Sequence, residues 1–118
     1  MKKYTIGIIR VLSTSNDKIK FKHGEIIEKF LPMIKTETEC IEDQPKGIHS
    51  PSTHKKAVPK IIKLAMQMSE DVDGIIVSCA EDPAVTDLSK KIGIPVIGPG
   101  RAAAITSLYY GEKIGVIS

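Results

Sequence analysis

Apolar residues fall into short, nearly unbroken runs, separated by stretches in which they recur every three or four positions. The first run, residues 4–12 (YTIGIIRVL), is β-branched and apolar almost throughout, which suits a strand covered on both faces. Ser13 to Asp17 supply cap-forming side chains. From Lys18 onward, Ile19, Ile26, Ile27, Phe30 and Leu31 recur at helical spacing until Pro32. Residues 33–41 (MIKTETECI) alternate as a second strand. Residues 42–53, with two prolines, a glycine and three hydroxyl residues, form a loop.

A helix from about His54 to Glu70 follows, with Val58, Ile61, Ile62, Leu64, Ala65 and Met68 as its apolar positions and Pro59 in its first turns. The theme then repeats. Strand GIIVSC (74–79) leads to helix PAVTDLSKKI (83–92), strand PVIG (95–98), helix RAAAITSLYY (101–110) and a final strand KIGVIS (113–118). Alternating β and α units predict a single α/β domain over residues 1–118. The expectation is a three-layer α/β/α arrangement on a parallel sheet of order 2-1-3-4, with the last strand next to or beyond the fourth. Function in such a sheet sits at the carboxyl ends of the strands.

Composition narrows the classes. In 118 residues, 42% hydrophobic and 26% charged content is ordinary for one globular core. The net charge of +3 comes from lysines interspersed with glutamates, and only 4% of residues are aromatic, so nucleic acid is not an expected partner. No run approaches the ~20 apolar residues that span a bilayer. The N-terminal run is too short, and is broken by Arg10, for a signal peptide. A cytoplasmic protein with reduced thiols is expected, with no membrane partner and no metal.

Only two cysteines are present, and Cys79 falls where the third strand should emerge. Asp82 and Pro83 read as N-cap and first residue of the next helix, whose amides would lower a thiol pKa from its usual ~8.5. Glu81 and Asp82 oppose this with negative charge. The balance predicts a thiol tuned for proton exchange rather than a permanently ionised one, against the alternative of a small packed core residue. Phosphatase chemistry would need an arginine six residues on, where Val85 stands, and no C-x-x-C is present. Cys40, His23, His49 and His54 lack metal-ligand spacing. His49 and His54 are the only histidines placed to approach Cys79 as a base, and read first as surface residues.

Two further loops join it. Gly98, Gly100 and Ala103 match a G-x-G-x-x-A pattern between strand and helix, but not after the first strand of the fold, where a dinucleotide site would put it. A tight turn whose free amides line the Cys79 crevice is the simpler reading, with Arg101 either touching an anion or solvated. Ser13, Thr14 and Ser15 either offer hydroxyls to a ligand or cap the first helix.

With these loops in place, the chain resembles the Asp/Glu/hydantoin racemase superfamily, and hydantoin racemases more than amino-acid racemases. IIVSCAEDPAV is similar to that group's strand–Cys–x–x–Asp–Pro turn. IPVIGPGRAAAITSLYYGEKIGVIS resembles its strand, glycine turn, Ala-rich helix and following strand, and IEDQPKGIHS its loop after the second strand. The resemblance implies cofactor-independent racemisation alpha to a carbonyl by two cysteines, of which Cys79 matches the first. It implies substrate contacts from Arg10, Ser13, Ser78, Ala80, Gly98 and Gly100. Ala80, Glu81 and Asp82 stand where amino-acid members carry Asn-Thr, which favours a neutral or cyclic substrate such as a 5-substituted hydantoin. The chain differs from hydantoin racemases at Arg10, Val11 and Leu12, where an Asn-Pro-Asn run is usual. Members are about twice as long, so the chain corresponds to an N-terminal half. The second cysteine is then expected from a C-terminal half or from a second copy in a homo-oligomer. The rival class is a non-catalytic flavodoxin-like module holding a nucleotide or small anion over Gly98 and Gly100.

Overall fold

In the computed structural model, which describes residues 3–117, four parallel strands run in the order β2-β1-β3-β4. They are β1 (Tyr4–Arg10), β2 (Ile34–Cys40), β3 (Gly74–Ser78) and β4 (Val96–Ile97). β1 and β3 lie inside the sheet because their runs are apolar enough to be covered on both faces; in β1, Ile8 and Ile9 point to opposite sides and both are fully buried. Its register sets Arg10 beside Cys40 on one flank and Ser78 on the other, so the carboxyl ends of three strands are level.

Helices cover both faces, which makes the three layers. On one face α3 (Pro51–Met68) and α4 (Val85–Lys91) close over Ile9, Ile75 and Val77, with Ile61, Ala65 and Leu88 fully buried between. On the other lie α1 (Asp17–Lys20) and α2 (Lys22–Phe30), while α5 (Pro99–Ser107) follows β4. This second side is far more open: Ile26, Ile97 and Ile105 are each about half exposed or more.

Three expectations are corrected. The helix expected from Lys18 is two helices broken at Phe21, because the Arg10 guanidinium reaches from β1 to the Ile19 and Lys20 carbonyls and supplies donors that a continuing helix would have provided. The helix placed from His54 begins at Pro51. Ser50 and Thr53 form a reciprocal capping box with proline at N1, and these hydroxyls read as loop composition. Pro59 therefore sits well inside the helix, where it removes one i→i−4 bond. Finally, residues 113–117 form no strand. β4 offers only two residues of ladder to pair with, and Val116 and Ile117 stand in solvent. Ser118, the end of that expected strand, lies outside the described residues.

The unequal faces predict unequal costs. Ile61→Ala, in the closed layer, should lower unfolding free energy by about 2–5 kcal/mol. Ile105→Ala, on the open side, should change it by less than about 0.5 kcal/mol. Urea unfolding followed by circular dichroism measures both, and comparable losses would mean the two sides are equally packed.

Candidate active site

β3 ends at Ser78, and the chain then turns sharply over the strand ends. Asp82 donates its amide to the Cys79 carbonyl at 3.0 Å, and Val85 returns to the Asp82 carbonyl at 3.3 Å. Asp82 and Ala84 both adopt left-handed backbone, at φ 51° and 63°. Such residues cost of order 1–3 kcal/mol each and persist where surroundings over-determine them. Here Pro83 is fully buried between them.

Asp82 supplies the other anchor. Its carboxylate accepts from the Gly100 amide at 3.0 Å and the Arg101 amide at 2.6 Å, which are the second and third residues of α5. It therefore caps α5 from across the fold, in place of a side chain at the N-cap position Gly98, with charge as well as hydrogen bonds matched to the helix terminus. It does not open α4, as the Asp-Pro pair suggested. α4 begins at Val85, and its N-cap position is the left-handed Ala84, with no side-chain cap.

The glycines follow from this contact. A Cβ at Gly98 would lie 2.0 Å from an Asp82 carboxylate oxygen, and one at Gly100 would lie 2.1 Å from the Ala80 carbonyl. The turn is thus brought against the Cys79 loop, as the sequence suggested. The Gly100 and Arg101 amides, however, are spent on Asp82 rather than left free.

Cys79 itself is partly buried and packed against the closed core. Burial pushes the thiol's pKa up. The Glu81 amide opposes that, while the negative charges of Glu81 and Asp82 reinforce it. The thiol is consequently protonated at neutral pH. The helix-terminus lowering expected from the sequence is absent, since α4 starts six residues later.

The other expected positions divide. Ser78 points to the opposite face from Cys79, by strand alternation, and its hydroxyl lies 2.6 Å from His23 Nδ1. Burial, then Arg10 and Lys22, hold the His23 imidazole below its ordinary pKa. The pair borders an apolar cavity of about 300 Å³ with Ile26, Ile27, Ile97 and Ala102. Arg10 is buried, and its guanidinium is directed to the α1 carbonyls. Ser13 is stitched to Gln44: its amide donates to the Gln44 carbonyl at 3.1 Å and its hydroxyl accepts the Gln44 amide. Ala80 supplies the carbonyl against Gly100.

Two histidines stand differently from their reading in the sequence, where His23 is set aside as no metal ligand and His54 reads first as a surface residue. His23 shares a helical face with Ile26, Ile27 and Phe30, a spacing that alone would have turned it toward the sheet. His54, in the first turn of α3, lies 3.1 Å from the Glu81 carboxylate. Together with His49, Ser50, Lys55 and Val58 they border an open groove of about 700 Å³ next to the Cys79 turn. Among the described residues, no three histidine, cysteine or acidic side chains come together as a metal-binding group, and no helix is long and apolar enough to cross a membrane.

Because Asp82 holds both the turn and α5, Asp82→Ala should cost about 1–2 kcal/mol of stability. Asp82→Asn, which keeps one acceptor, should cost less. Equal stability of wild type and Asp82→Ala in chemical denaturation would show that the cap carries no weight.

Comparison with known proteins adds the family. The allantoin racemase from Klebsiella pneumoniae superposes on 91% of this chain with a TM-score of 0.79, at 18% sequence identity. The likeness at that identity is one of fold. The chain spans 44% of the length of that protein. No curated protein matches the sequence. The family model for Asp/Glu/hydantoin racemases matches residues 25–118, which takes in β2, β3, the Cys79 turn and α5. On that match the chain belongs to the Asp/Glu/hydantoin racemase family.

Proposed function

We propose that this chain supplies one of the two proton-handling groups of a cofactor-independent racemase, and that the group is Cys79. The observation that carries the reading is the place of that thiol. It is a partly open cysteine at the carboxyl end of a parallel strand, on a strained turn, in a chain of a racemase family.

In this reading the Cys79 thiolate removes a proton from a carbon alpha to a carbonyl. The S–H bond forms as the C–H bond breaks, and the electron pair passes to the carbonyl oxygen as an enolate. A second group returns a proton to the opposite face. Cys40 is not placed for that role. It is level with Ser78 but two strands away, about 10 Å at the usual strand spacing, and it borders a different cavity with Lys60, Lys63 and Leu64. In this reading the opposing group is supplied by the remaining part of a racemase fold or by a second copy of the chain.

The substrate class we favour is a neutral ring, a hydantoin bearing its acidic C–H alpha to a ring carbonyl. Allantoin, the substrate in the name of the similar structure, is of that chemical class. The features that would anchor a carboxylate are consumed internally: the Gly100 and Arg101 amides by Asp82, and the Arg10 guanidinium by α1 carbonyls. Glu81 and Asp82 add negative charge beside the thiol. The same occupied amides weigh against a nucleotide or anion module over Gly98 and Gly100.

The test is exchange of the alpha hydrogen for deuterium in a 5-substituted hydantoin, read by proton NMR in D2O. The chain should accelerate exchange above buffer, and Cys79→Ser should lose about 100-fold or more of that acceleration. The thiolate is the working base and its pKa is raised, so the rate should climb with pH and reach half its rise above the midpoint of free cysteine. Exchange that survives unchanged in Cys79→Ser would remove this function.

A further inference from the structure

The groove beside the Cys79 turn contains a contact whose use the family reading leaves open. Glu81 lies two residues after Cys79, and its carboxylate accepts from His54 Nδ1 at 3.1 Å. A carboxylate can only accept, so the imidazole carries its proton on Nδ1 and is held by α3, one turn in from the Ser50 cap. This is the one hydrogen bond or ion pair, among the described residues, between the side chains of the Cys79–Ala84 turn and α3. It joins the turn to the longest of the described helices.

We infer that His54 is a positioning residue for Cys79: acting through Glu81, it fixes where that carboxylate's charge sits and so sets how readily the thiol gives up its proton. Glu81 is the nearer carboxylate in sequence, and it acts on the thiol in two opposed ways. Its amide stabilises the thiolate while its charge destabilises it. An imidazole donating to the carboxylate draws the negative charge toward α3 and, when protonated, offsets it. Asp82, the other acid acting on the thiol, is tied separately to α5 and cannot substitute for this control. The remaining polar groups around the imidazole are His49, Ser50 and Lys55, which border the same groove, and none of them is bonded to Glu81. The inference rests on Cys79 being the working thiol, but it concerns the thiol's acidity rather than turnover.

The experiment follows alkylation of Cys79 by iodoacetamide against pH, in a Cys40→Ser background that leaves a single thiol. His54→Ala should move the midpoint upward and slow alkylation about two- to fivefold at any pH below it. His54→Asn, which restores a donor near the Nδ1 position, should recover most of that loss. Glu81→Gln should move the midpoint downward, and His54→Ala added to it should then have no effect. An unchanged midpoint in His54→Ala would overturn the inference, as would the same shift with and without the Glu81 carboxylate. Hydantoin exchange assayed on the same proteins separates the two proposals. Loss of exchange in Cys79→Ser with no His54 effect on alkylation would leave the racemase reading standing and remove this one.

Discussion

The Asp82 carboxylate on the first turn of α5 is the contact on which the rest of the site depends. It bridges two loops far apart in sequence, closes the turn that carries Cys79, and caps a helix whose own sequence offers only Gly98 at that position. A charged acceptor shared by two helix amides is among the stronger hydrogen-bonding arrangements available to a protein. Together with the burial of Pro83 it works against the cost of left-handed backbone at Asp82 and Ala84. Without it, the glycines after β4 would have no reason to lie against Ala80, and the strand-end crevice would lose one wall.

That same contact shapes the electrostatics. A helix terminus near a thiol is usually expected to make it more acidic, yet here the amides nearest the turn are neutralised by Asp82, and α4 starts too late to help. What remains at Cys79 is burial, opposed by the Glu81 amide and reinforced by two carboxylates, and the balance favours the thiol over the thiolate. Under the proposed function, such a thiol has to lose its proton before it can act as the base. The thiolate, once formed, is a stronger base for having been disfavoured.

Much of this was legible in the sequence. Strand order, parallel pairing and the position of Cys79 follow from the runs around Ile8, Ile76 and Val96, because period and turn chemistry act locally. The pairing of α5 with the β3–α4 turn was partly legible, since Gly98 and Gly100 announced a close approach without saying to what. What escaped were contacts made across the fold. Asp82 looked like the cap of its own helix because Asp-Pro is a good local signal, and only tertiary packing sends it to α5 instead. Arg10 stood among the substrate contacts that the resemblance implied; instead it is buried against the α1 carbonyls, beside a helix break that nothing at Phe21 advertises. The final apolar run reads as a strand by composition, but a strand needs a neighbour, and β4 is too short to be one.

The two glycines after β4 are constrained by different things, and descent should treat them differently. Gly98 is excluded from bearing a side chain by the carboxylate of Asp82, whereas Gly100 is excluded by the backbone carbonyl of residue 80. A lineage that replaces the acid at 82 with glycine releases position 98, since even the Cβ of residue 82 lies 2.8 Å from where a Cβ would stand, so those two sites should drift together among relatives. Position 100 gains no such freedom, because no change of side chain removes a peptide oxygen. Glycine should therefore persist there in sequences that have abandoned both of its neighbours in the contact.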